Sequence, residues 1–274
     1  MDTPAPRPAA PAALAHRGFS PEGAENTLDA VRAARDLGYA WIETDVNTTA
    51  DGVVLSFHDE TLDRVTGTPG AVSALTWEQV RRARVAGGPA IPTLAELLRA
   101  FPELRFNIDV KDEASVAALP PLLHELGAAG RVRVTSFSES RRRRTLRALR
   151  ALTGGPVPTS SGKEGMRLLL VSSWLGGPAW RIARRLASRW IEPFDTVQIP
   201  RRHRVRGGRE IELVTPRFLA FAHRHGIAVH VWTVNDPEEM AELLELGVDG
   251  IVTDRADLLA DLLARRGQWP PSGV

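Results

Sequence analysis

The sequence predicts an α/β protein built as a TIM (β/α)8 barrel, and two observations carry this prediction. First, short apolar runs alternate with amphipathic helical stretches along most of the 274 residues. Strand-then-helix repeats of this kind are typical of a parallel sheet. Second, one uninterrupted series of about 250 residues favours a closed barrel over a doubly wound sheet. We therefore expect a single domain over 12–266.

The strand candidates outnumber the eight places of such a barrel. They lie at 12–18, 41–49, 53–59, 104–111, 131–137, 166–172, 196–200, 227–234 and 249–254. Only Ala50-Asp51-Gly52 separates the second from the third, which is too short for a parallel crossover. Asp-Gly between two such runs indicates a hairpin. We therefore predict an extra hairpin strand after strand 2, with His58 opposite Asp45 if the loop has two residues.

Helical patterns fill the intervals between the strand candidates. They lie at 26–37, 76–85, 93–101, 114–127, 139–152, 179–190, 215–225, 236–246 and 255–266. Asn26-Thr27 and Asp236-Pro237 are typical helix starts, and Gly38 is a typical helix stop. The segments 154–165 and 201–210 have the composition of loops.

Composition excludes several classes of protein. There is no cysteine, which excludes disulfide scaffolds, thiolate zinc sites and thiol catalysis. The net charge of +2 does not indicate a nucleic-acid-binding surface, and the run Arg141–Arg144 is predicted to be a solvated helix face. No apolar run is long enough to span a membrane, and no amphipathic membrane segment is evident. We therefore expect no nucleic-acid partner and no stable membrane anchor.

The two ends of the chain read as irregular. Residues 1–11 are rich in Pro and Ala without the apolar stretch of a signal peptide, which predicts a disordered lead-in. Residues 267–274 are predicted to be a tail. The expected location is the cytoplasm.

Polar residues cluster where the predicted strands end. His16-Arg17-Gly18 closes the first strand, and His58-Asp59 closes the hairpin strand. The carboxyl ends of barrel strands build the active sites of TIM barrels. Each cluster alone is ordinary, but their recurrence at strand ends predicts an active site.

Carboxylates and cations alternate on two of these strands. Glu43 and Asp45 share one face of the second strand, as Asp109 and Lys111 do on the fourth candidate. Buried charges are costly unless they are paired or bind a metal. The oxygens of Glu43, Asp45 and Asp109 suit Mg²⁺, Ca²⁺ or Mn²⁺. Arg17 and Lys111 are suited to hold phosphate, so the set indicates a phosphate-ester site.

Two histidines complete the predicted chemistry. His16 and His58 can serve as acid and base on opposite sides of phosphorus. No Walker loop is present, so the sequence does not indicate ATP-driven transfer. Trp232 follows an apolar strand and packs either against substrate or at the barrel rim. Glu25 is a supporting residue that pairs with Arg17, contacts substrate or starts a helix.

The motifs taken together resemble the glycerophosphodiester phosphodiesterases. The resemblance runs from about residue 14 to 260 and is loose over 139–215. It is carried by His16-Arg17-Gly18, Glu25-Asn26-Thr27, Glu43-Thr44-Asp45, His58-Asp59, the segment 107–111 (NIDVK), the segment 232–235 (WTVN) and the segment 250–254 (GIVTD). Seven motifs in the same order make this resemblance specific.

The resemblance implies a TIM barrel that uses a divalent metal to hydrolyse glycerophosphodiesters to glycerol 3-phosphate and an alcohol. By position, it implies His16 and His58 as the acid–base pair, Glu43 and Asp45 as metal ligands, and Arg17 and Lys111 as phosphate contacts. The family commonly has glutamate where this chain has Asp109, which makes metal preference less certain than reaction class.

Two other functions remain open at this point. One is a phospholipase D-like enzyme that acts on lysophospholipids or sphingolipids, and the other is an inactive barrel that only binds phosphorylated ligands. The residues also do not choose between a cyclic-phosphate route and direct attack by water, and they do not indicate the oligomeric state.

Overall fold

A twisted sheet of parallel strands forms the centre of the molecule. The structure, a computed structural model, describes residues 10–204 and 207–270. Its strands are β1 (Ala12–His16), β2 (Trp41–Thr48), β3 (Val54–Ser56), β4 (Arg105–Val110), β5 (Val132–Thr135), β6 (Thr196–Ile199), β7 (Arg202–Arg204), β8 (Glu210–Glu212), β9 (Ala228–Val231) and β10 (Gly250–Thr253). The sheet order is β5-β4-β2-β1-β10-β9-β6, and all these neighbours are parallel.

The sheet closes through two residues that the sequence analysis placed in a loop. Thr159 forms a parallel bridge with Val134 of β5, and Ser160 forms one with Thr196 of β6. These two residues join the free edges of the sheet and fill the remaining barrel place. The predicted TIM-barrel fold is confirmed.

The predicted strand at 166–172 is wrong, because this segment belongs to a helix, α7 (Lys163–Leu175). Gly165, Leu169, Ser172 and Ser173 are its buried residues, at helical spacing. A short apolar run such as Leu168–Leu170 does not distinguish a buried strand from one face of a helix.

Ten further α-helices surround the barrel or cap its ends. They are α1 (Leu28–Asp36), α2 (Asp63–Thr66), α3 (Trp77–Val80), α4 (Leu94–Ala100), α5 (Glu113–Glu125), α6 (Glu139–Thr153), α8 (Gly177–Ala187), α9 (Pro216–Arg224), α10 (Pro237–Leu246) and α11 (Ala256–Arg265). Every helical pattern named above corresponds to one of these, with α3 shorter than predicted. No helix of the described residues is long and apolar enough to cross a bilayer.

The β2–β3 hairpin is present, but its register differs by one residue from the prediction. Val46 pairs with Ser56 and Thr48 with Val54. The Gly52 amide donates to the Thr49 carbonyl, and Gly52 has φ +85°, so the loop has three residues instead of two. His58 therefore follows the end of β3 and is not the direct strand partner of Asp45.

Two other segments are more ordered than predicted. Part of the predicted loop 201–210 is paired as strands β7 and β8. In the predicted tail, the Trp269 indole donates to the Leu37 carbonyl at 3.1 Å and packs against Tyr39. Residues 1–9 and 271–274 lie outside the described residues, so most of the predicted lead-in and half of the tail stay predictions.

The two faces of the strands differ in composition, as a barrel requires. On β4, Phe106, Ile108 and Val110 are buried in the hydrophobic core, while Asn107 and Asp109 alternate with them. Because side chains on a strand point alternately to its two faces, one face packs under the helices and the other carries the polar groups inside the barrel. The packing of the apolar face in the hydrophobic core thus fixes the strands that carry the site residues.

Helix α6 carries a buried cation where a solvated face was predicted. The Arg142 side chain has 0% exposure and pairs with Glu139 one turn earlier. It also donates to Thr159 Oγ1 at 3.1 Å and to the Glu192 carbonyl at 2.5 Å. Arg142 thus ties α6 to the segment that closes the barrel, and only Arg141, Arg143 and Arg144 lie toward the surface.

We expect Arg142→Ala to lower the free energy of unfolding by about 3–5 kcal/mol, because it leaves the Glu139 carboxylate buried without its partner. Urea denaturation followed by circular dichroism measures the change. Arg141→Ala, one position earlier on the same helix, is the matched control and should shift stability by less than about 0.5 kcal/mol. Equal effects of the two changes would contradict a structural role for the buried pair.

Candidate active site

A cavity of about 490 Å³ opens at the carboxyl ends of the barrel strands. Eight of the nine predicted site residues line it, namely His16, Arg17, Glu43, Asp45, His58, Asp109, Lys111 and Trp232. The ninth, Glu25, lies beside this wall, where its carboxylate pairs with Arg17 at 2.7 Å. The fold thus brings together residues that are up to 216 positions apart in the chain (16 to 232).

Asp45 is the most heavily bonded carboxylate in the cavity. Lys111 Nζ lies 2.8 Å from its Oδ1, and Arg17 Nε lies 3.0 Å from its Oδ2. The Asn26 amide also donates to Oδ2, at 3.2 Å. Burial alone would raise the pKa of Asp45, but Lys111 and Arg17 hold it below its ordinary value. Asp45 is therefore ionised and fixed in place.

The turn after β1 directs Arg17 into the site. Arg17 has φ +58°, a left-handed conformation that is uncommon for residues other than glycine. Gly18 follows with φ +84°, and a Cβ there would lie 2.6 Å from the Ala30 backbone. Only glycine fits so close to α1, which accounts for the Arg-Gly pair at this strand end.

A chain of ion pairs connects Arg17 to the hairpin side of the cavity. Glu25 pairs with Arg17 and, at 2.6 Å, with Arg64. Arg64 in turn pairs with Asp59 at 2.5 Å. Burial would raise the pKa of Glu25, but its bonds to Arg64 and Arg17 hold it below the ordinary value. Glu25 thus holds the Arg17 side chain through an ion pair, one of the contacts that the sequence analysis left open for it.

His16 is held by a carboxylate from the last strand. Its Nδ1 lies 2.5 Å from Asp254 Oδ1, and its Nε2 lies 3.7 Å from Glu43 Oε2. Asn235 donates to the other Asp254 oxygen at 2.8 Å. Burial lowers the pKa of His16, but the bond to Asp254 and the charge of Glu43 more than offset this, so its pKa lies above the ordinary value.

His58 is positioned by its backbone as well as by a carboxylate. The Asn47 amide donates to three successive carbonyls, those of Phe57, His58 and Asp59, at 3.0–3.1 Å. The Asp59 carboxylate lies 2.6 Å from His58 Nδ1. Asn47 therefore fixes the segment after β3, which places His58 at the cavity in spite of the shifted hairpin register.

Two carboxylates in the cavity keep an oxygen without a hydrogen-bond partner. These buried atoms are Glu43 Oε2 and Asp109 Oδ1. Burial, together with the charge of Asp45, raises the pKa of Glu43 to about 8. Burial likewise raises the pKa of Asp109, although Lys111 lies 2.6 Å from its Oδ2. Glu43 Oε2 and Asp109 Oδ1 therefore lack a hydrogen-bond donor, and a bound cation would satisfy both oxygens.

The outer wall of the cavity is apolar and basic. Phe137 contacts Trp232 edge to face, with 5.6 Å between ring centroids. Both lysines of the chain flank Phe137, since Lys111 Nζ lies 5.4 Å and Lys163 Nζ 5.3 Å from its ring. Met166, Arg167, Leu170, His203, Ile211 and Leu213 continue this wall.

The sequence analysis did not assign several of these residues to the site. Asp254, Asn235, Asp59 and Asn47 hold the catalytic candidates without lining the cavity themselves. For Asp254 and Asn235 a signal was present, since both follow strand-like runs, as the assigned residues do. Lys163 had no such signal, because it lies at the start of α7 and does not follow a strand-like run.

Comparison with known proteins supplies the class of enzyme. The model of the glycerophosphoryl diester phosphodiesterase family matches residues 16–159 and 171–258. A Mycobacterium tuberculosis protein named "Probable glycerophosphodiester phosphodiesterase 2" is 41% identical over 94% of this chain and 92% of its own length. A match of this extent shows the family.

The chain belongs to the glycerophosphoryl diester phosphodiesterase family.

Other relatives agree with this membership. A glycerophosphodiester phosphodiesterase from Caldanaerobacter subterraneus is 28% identical over 93% of this chain and 98% of its own length. A solved structure of an Oleispira antarctica phosphodiesterase, in complex with the product sn-glycerol-3-phosphate, has the same fold, with a TM-score of 0.69. Its sequence is 19% identical to this chain, and the match covers 93% of this chain and 97% of the Oleispira chain. The chain is thus an enzyme, a phosphoric diester hydrolase. The family model leaves 160–170 unmatched, which includes the start of α7.

Replacing Asp254 by Asn tests whether the Asp254 carboxylate positions the His16 ring for proton transfer. We expect Asp254→Asn to lower kcat roughly a hundredfold, within the range for loss of an acid–base group. The carboxylate raises the His16 pKa, so its removal should move the His16 limb of the pH–kcat profile to lower pH.

Asp257→Asn is the matched control, because Asp257 pairs with Arg255 outside the cavity lining. It should leave both kcat and the pH profile unchanged. An Asp254→Asn enzyme with the wild-type profile would contradict the positioning role of Asp254.

Proposed function

We propose that this enzyme hydrolyses glycerophosphodiesters to glycerol 3-phosphate and an alcohol, with His16 and His58 as the acid–base pair and a divalent metal ion held by carboxylates. One observation carries the proposal. Both imidazoles line the same cavity as Glu43, Asp45 and Asp109, and each imidazole is backed by a carboxylate of its own. Such an arrangement suits proton transfer at the two sides of a phosphodiester.

The orientation of the two histidines supports this role. Both Nδ1 atoms bond to carboxylates, Asp254 for His16 and Asp59 for His58. An ionised carboxylate can only accept a hydrogen bond, so the nitrogen that faces it must be the donor. Nδ1 therefore carries the hydrogen in both rings. Nε2 is then the atom that exchanges a proton with the substrate. Which histidine acts first, and whether the attacking oxygen belongs to water or to the glycerol, stays open.

The carboxylates fit a divalent metal by the chemistry of their donors. Glu43, Asp45 and Asp109 offer hard oxygens, and Glu43 Oε2 and Asp109 Oδ1 are buried without partners. Within residues 10–204 and 207–270, however, no three acidic or imidazole side chains surround one point at ligand distance. The Lys111 ammonium lies between Asp45 and Asp109, so a metal ion would compete with it.

When bound, Mg²⁺, Ca²⁺ or Mn²⁺ would neutralise phosphate oxygens and stabilise charge that develops on them. Arg17 and Lys111 are proposed to hold the phosphate. In the structure both cations are directed at carboxylates, Arg17 at Glu25 and Asp45, and Lys111 at Asp45 and Asp109. Trp232, on the outer wall, is proposed to contact the glycerol or the alcohol.

One observation favours a second substrate class, the lysophospholipids. Beyond the phosphate region, the cavity wall carries apolar side chains, among them Phe137, Met166 and Leu170. A human relative that is 24% identical over 91% of this chain is named a lysophospholipase D. Hydrolysis of lysophosphatidylcholine, compared with that of glycerophosphocholine, separates the two classes. The alternative of an inactive binding protein has no support, because the relatives that match most of this chain are named as phosphodiesterases and both histidines line the cavity. The cytoplasmic location stays a prediction.

Removal and restoration of metal tests the cofactor. We expect the chelator-stripped enzyme to release no glycerol 3-phosphate from glycerophosphocholine, and we expect release to return with Mg²⁺, Ca²⁺ or Mn²⁺. A coupled assay for glycerol 3-phosphate gives the rates and ranks the three ions at a site with Asp109. Full activity in the stripped enzyme would contradict the role of Glu43, Asp45 and Asp109.

Loss of one imidazole tests the acid–base assignment. We expect His58→Ala to lower kcat by roughly 10²–10⁴-fold, with KM changed little, because the ring transfers a proton and does not anchor the phosphate. His124→Ala is the control, since His124 is exposed on α5 outside the cavity lining. Turnover that survives in His58→Ala would show that another group moves the proton.

A further inference from the structure

The helices α7 and α8 expose an unusual concentration of large apolar side chains. Ten large apolar residues are exposed in the described part of the chain, and six of them lie between 171 and 190. Each is 56–69% exposed: Val171, Trp174, Leu175, Ile182, Leu186 and Trp190. Such a concentration of exposed large apolar side chains in neighbouring helices is typical of an interaction surface. We call this set the α7–α8 face.

On α7, the apolar stripe continues from the cavity to this face. Lys163, Arg167 and Leu170 line the cavity near the start of the helix. Trp174 lies four residues beyond Leu170, so it belongs to the same side of the helix. Arg217 stacks on the Trp174 ring at 4.6 Å, which holds the indole in place although it is exposed. The face therefore begins at the cavity wall.

On α8 and the turn after it, apolar and basic residues form two adjacent stripes. Ile182, Leu186 and Trp190 are spaced by four residues, and Arg181, Arg185 and Arg189 repeat with the same spacing one position earlier. All six are exposed. On the opposite side, Trp180 packs against Phe194 and Phe221 and anchors the helix to the barrel. Helix α8 is thus amphipathic with its apolar stripe toward solvent.

The charge of this region has one sign. Between 165 and 191 the chain has five arginines and no acidic residue. In the described structure, none of Arg181, Arg184, Arg185 and Arg189 pairs with a carboxylate, although most other arginines of the chain do. A second copy docked through the same face would bring arginine against arginine. The face therefore requires a partner that is apolar and negatively charged.

We propose that the α7–α8 face docks the enzyme on the surface of an anionic lipid bilayer. Exposed Trp, Ile and Leu beside arginines are the composition of helices that lie in a membrane interface. Ile182, Leu186 and Trp190 enter the boundary between headgroups and acyl chains, while the arginines bind anionic headgroups. Because the stripe on α7 begins at the cavity wall, docking holds the cavity close to the lipid. This proposal goes beyond the reaction proposed above and does not depend on it.

Flotation of the full-length protein with vesicles tests the proposal. We expect the protein to float with vesicles of phosphatidylcholine and phosphatidylglycerol, to bind pure phosphatidylcholine far more weakly, and to be released by salt. The triple variant of Arg181, Arg185 and Arg189, each changed to Gln, should bind the anionic vesicles roughly a hundredfold less tightly.

The apolar half of the face is tested separately. The triple variant Ile182→Ser/Leu186→Ser/Trp190→Ser should lose binding to anionic vesicles even at low salt. Leu152→Ser/Leu246→Ser is the matched control, because these leucines are exposed on other helices. It should bind like the wild type. Circular dichroism and thermal unfolding show whether each variant is folded.

Two results would overturn the proposal. One is that folded wild-type protein and the apolar triple variant partition equally with anionic vesicles. The other is that the wild type does not bind vesicles but forms a dimer in analytical ultracentrifugation, whereas the apolar variant stays monomeric. That result would assign the face to contact with a second copy of the chain. Glycerol 3-phosphate release from glycerophosphocholine in solution, measured in parallel, should be unchanged in all the surface variants. Failure of hydrolysis is thus distinguishable from failure of docking.

Discussion

The site depends on how the buried charge of Asp45 is neutralised. A carboxylate with 1% exposure is very unfavourable unless cations and donors surround it. Lys111 comes from the end of the adjacent strand, Arg17 from the left-handed turn after β1, and Asn26 from the segment before α1. These contacts hold three separate segments against one carboxyl group. The need to neutralise and hydrogen-bond the Asp45 carboxylate thus fixes the positions of the segments that form this part of the cavity.

The two candidate catalytic histidines are supported in different ways, although each bonds a carboxylate through Nδ1. His16 ends a barrel strand and is held by Asp254, which follows the neighbouring strand β10. His58 follows a short antiparallel strand, and the Asn47 amide fixes its segment through three carbonyls. Strand ends and short hydrogen-bonded turns thus form the side of the cavity that carries the two histidines. This rigidity is what proton transfer over hydrogen-bond distance requires.

The opposite side of the cavity combines Phe137 and Trp232, which follow β5 and β9, with residues of a helix and of the β7–β8 hairpin. There α7 contributes both a lysine and apolar residues, and its far end joins the exposed α7–α8 face. The sequence analysis identified no amphipathic membrane segment, although it predicted the helix at 179–190, and it predicted a strand at 166–172. Once the segment is a helix, its apolar residues divide between the barrel, the cavity and the surface. The reaction and its proposed setting at a lipid surface are therefore carried by different parts of the fold.

The sequence by itself determined the barrel, the hairpin after its second strand and eight of the residues that line the cavity. Period-two alternation places Glu43 and Asp45 on one face whatever their partners are, and Asp51-Gly52 requires a tight turn. Only the tertiary structure decided the one-residue shift of the hairpin, the barrel place filled by Thr159 and Ser160, and the burial of Arg142. These features depend on contacts between distant segments. A two-residue strand has no periodicity of its own, and an arginine is buried only where carbonyls and a carboxylate from other parts of the chain surround it.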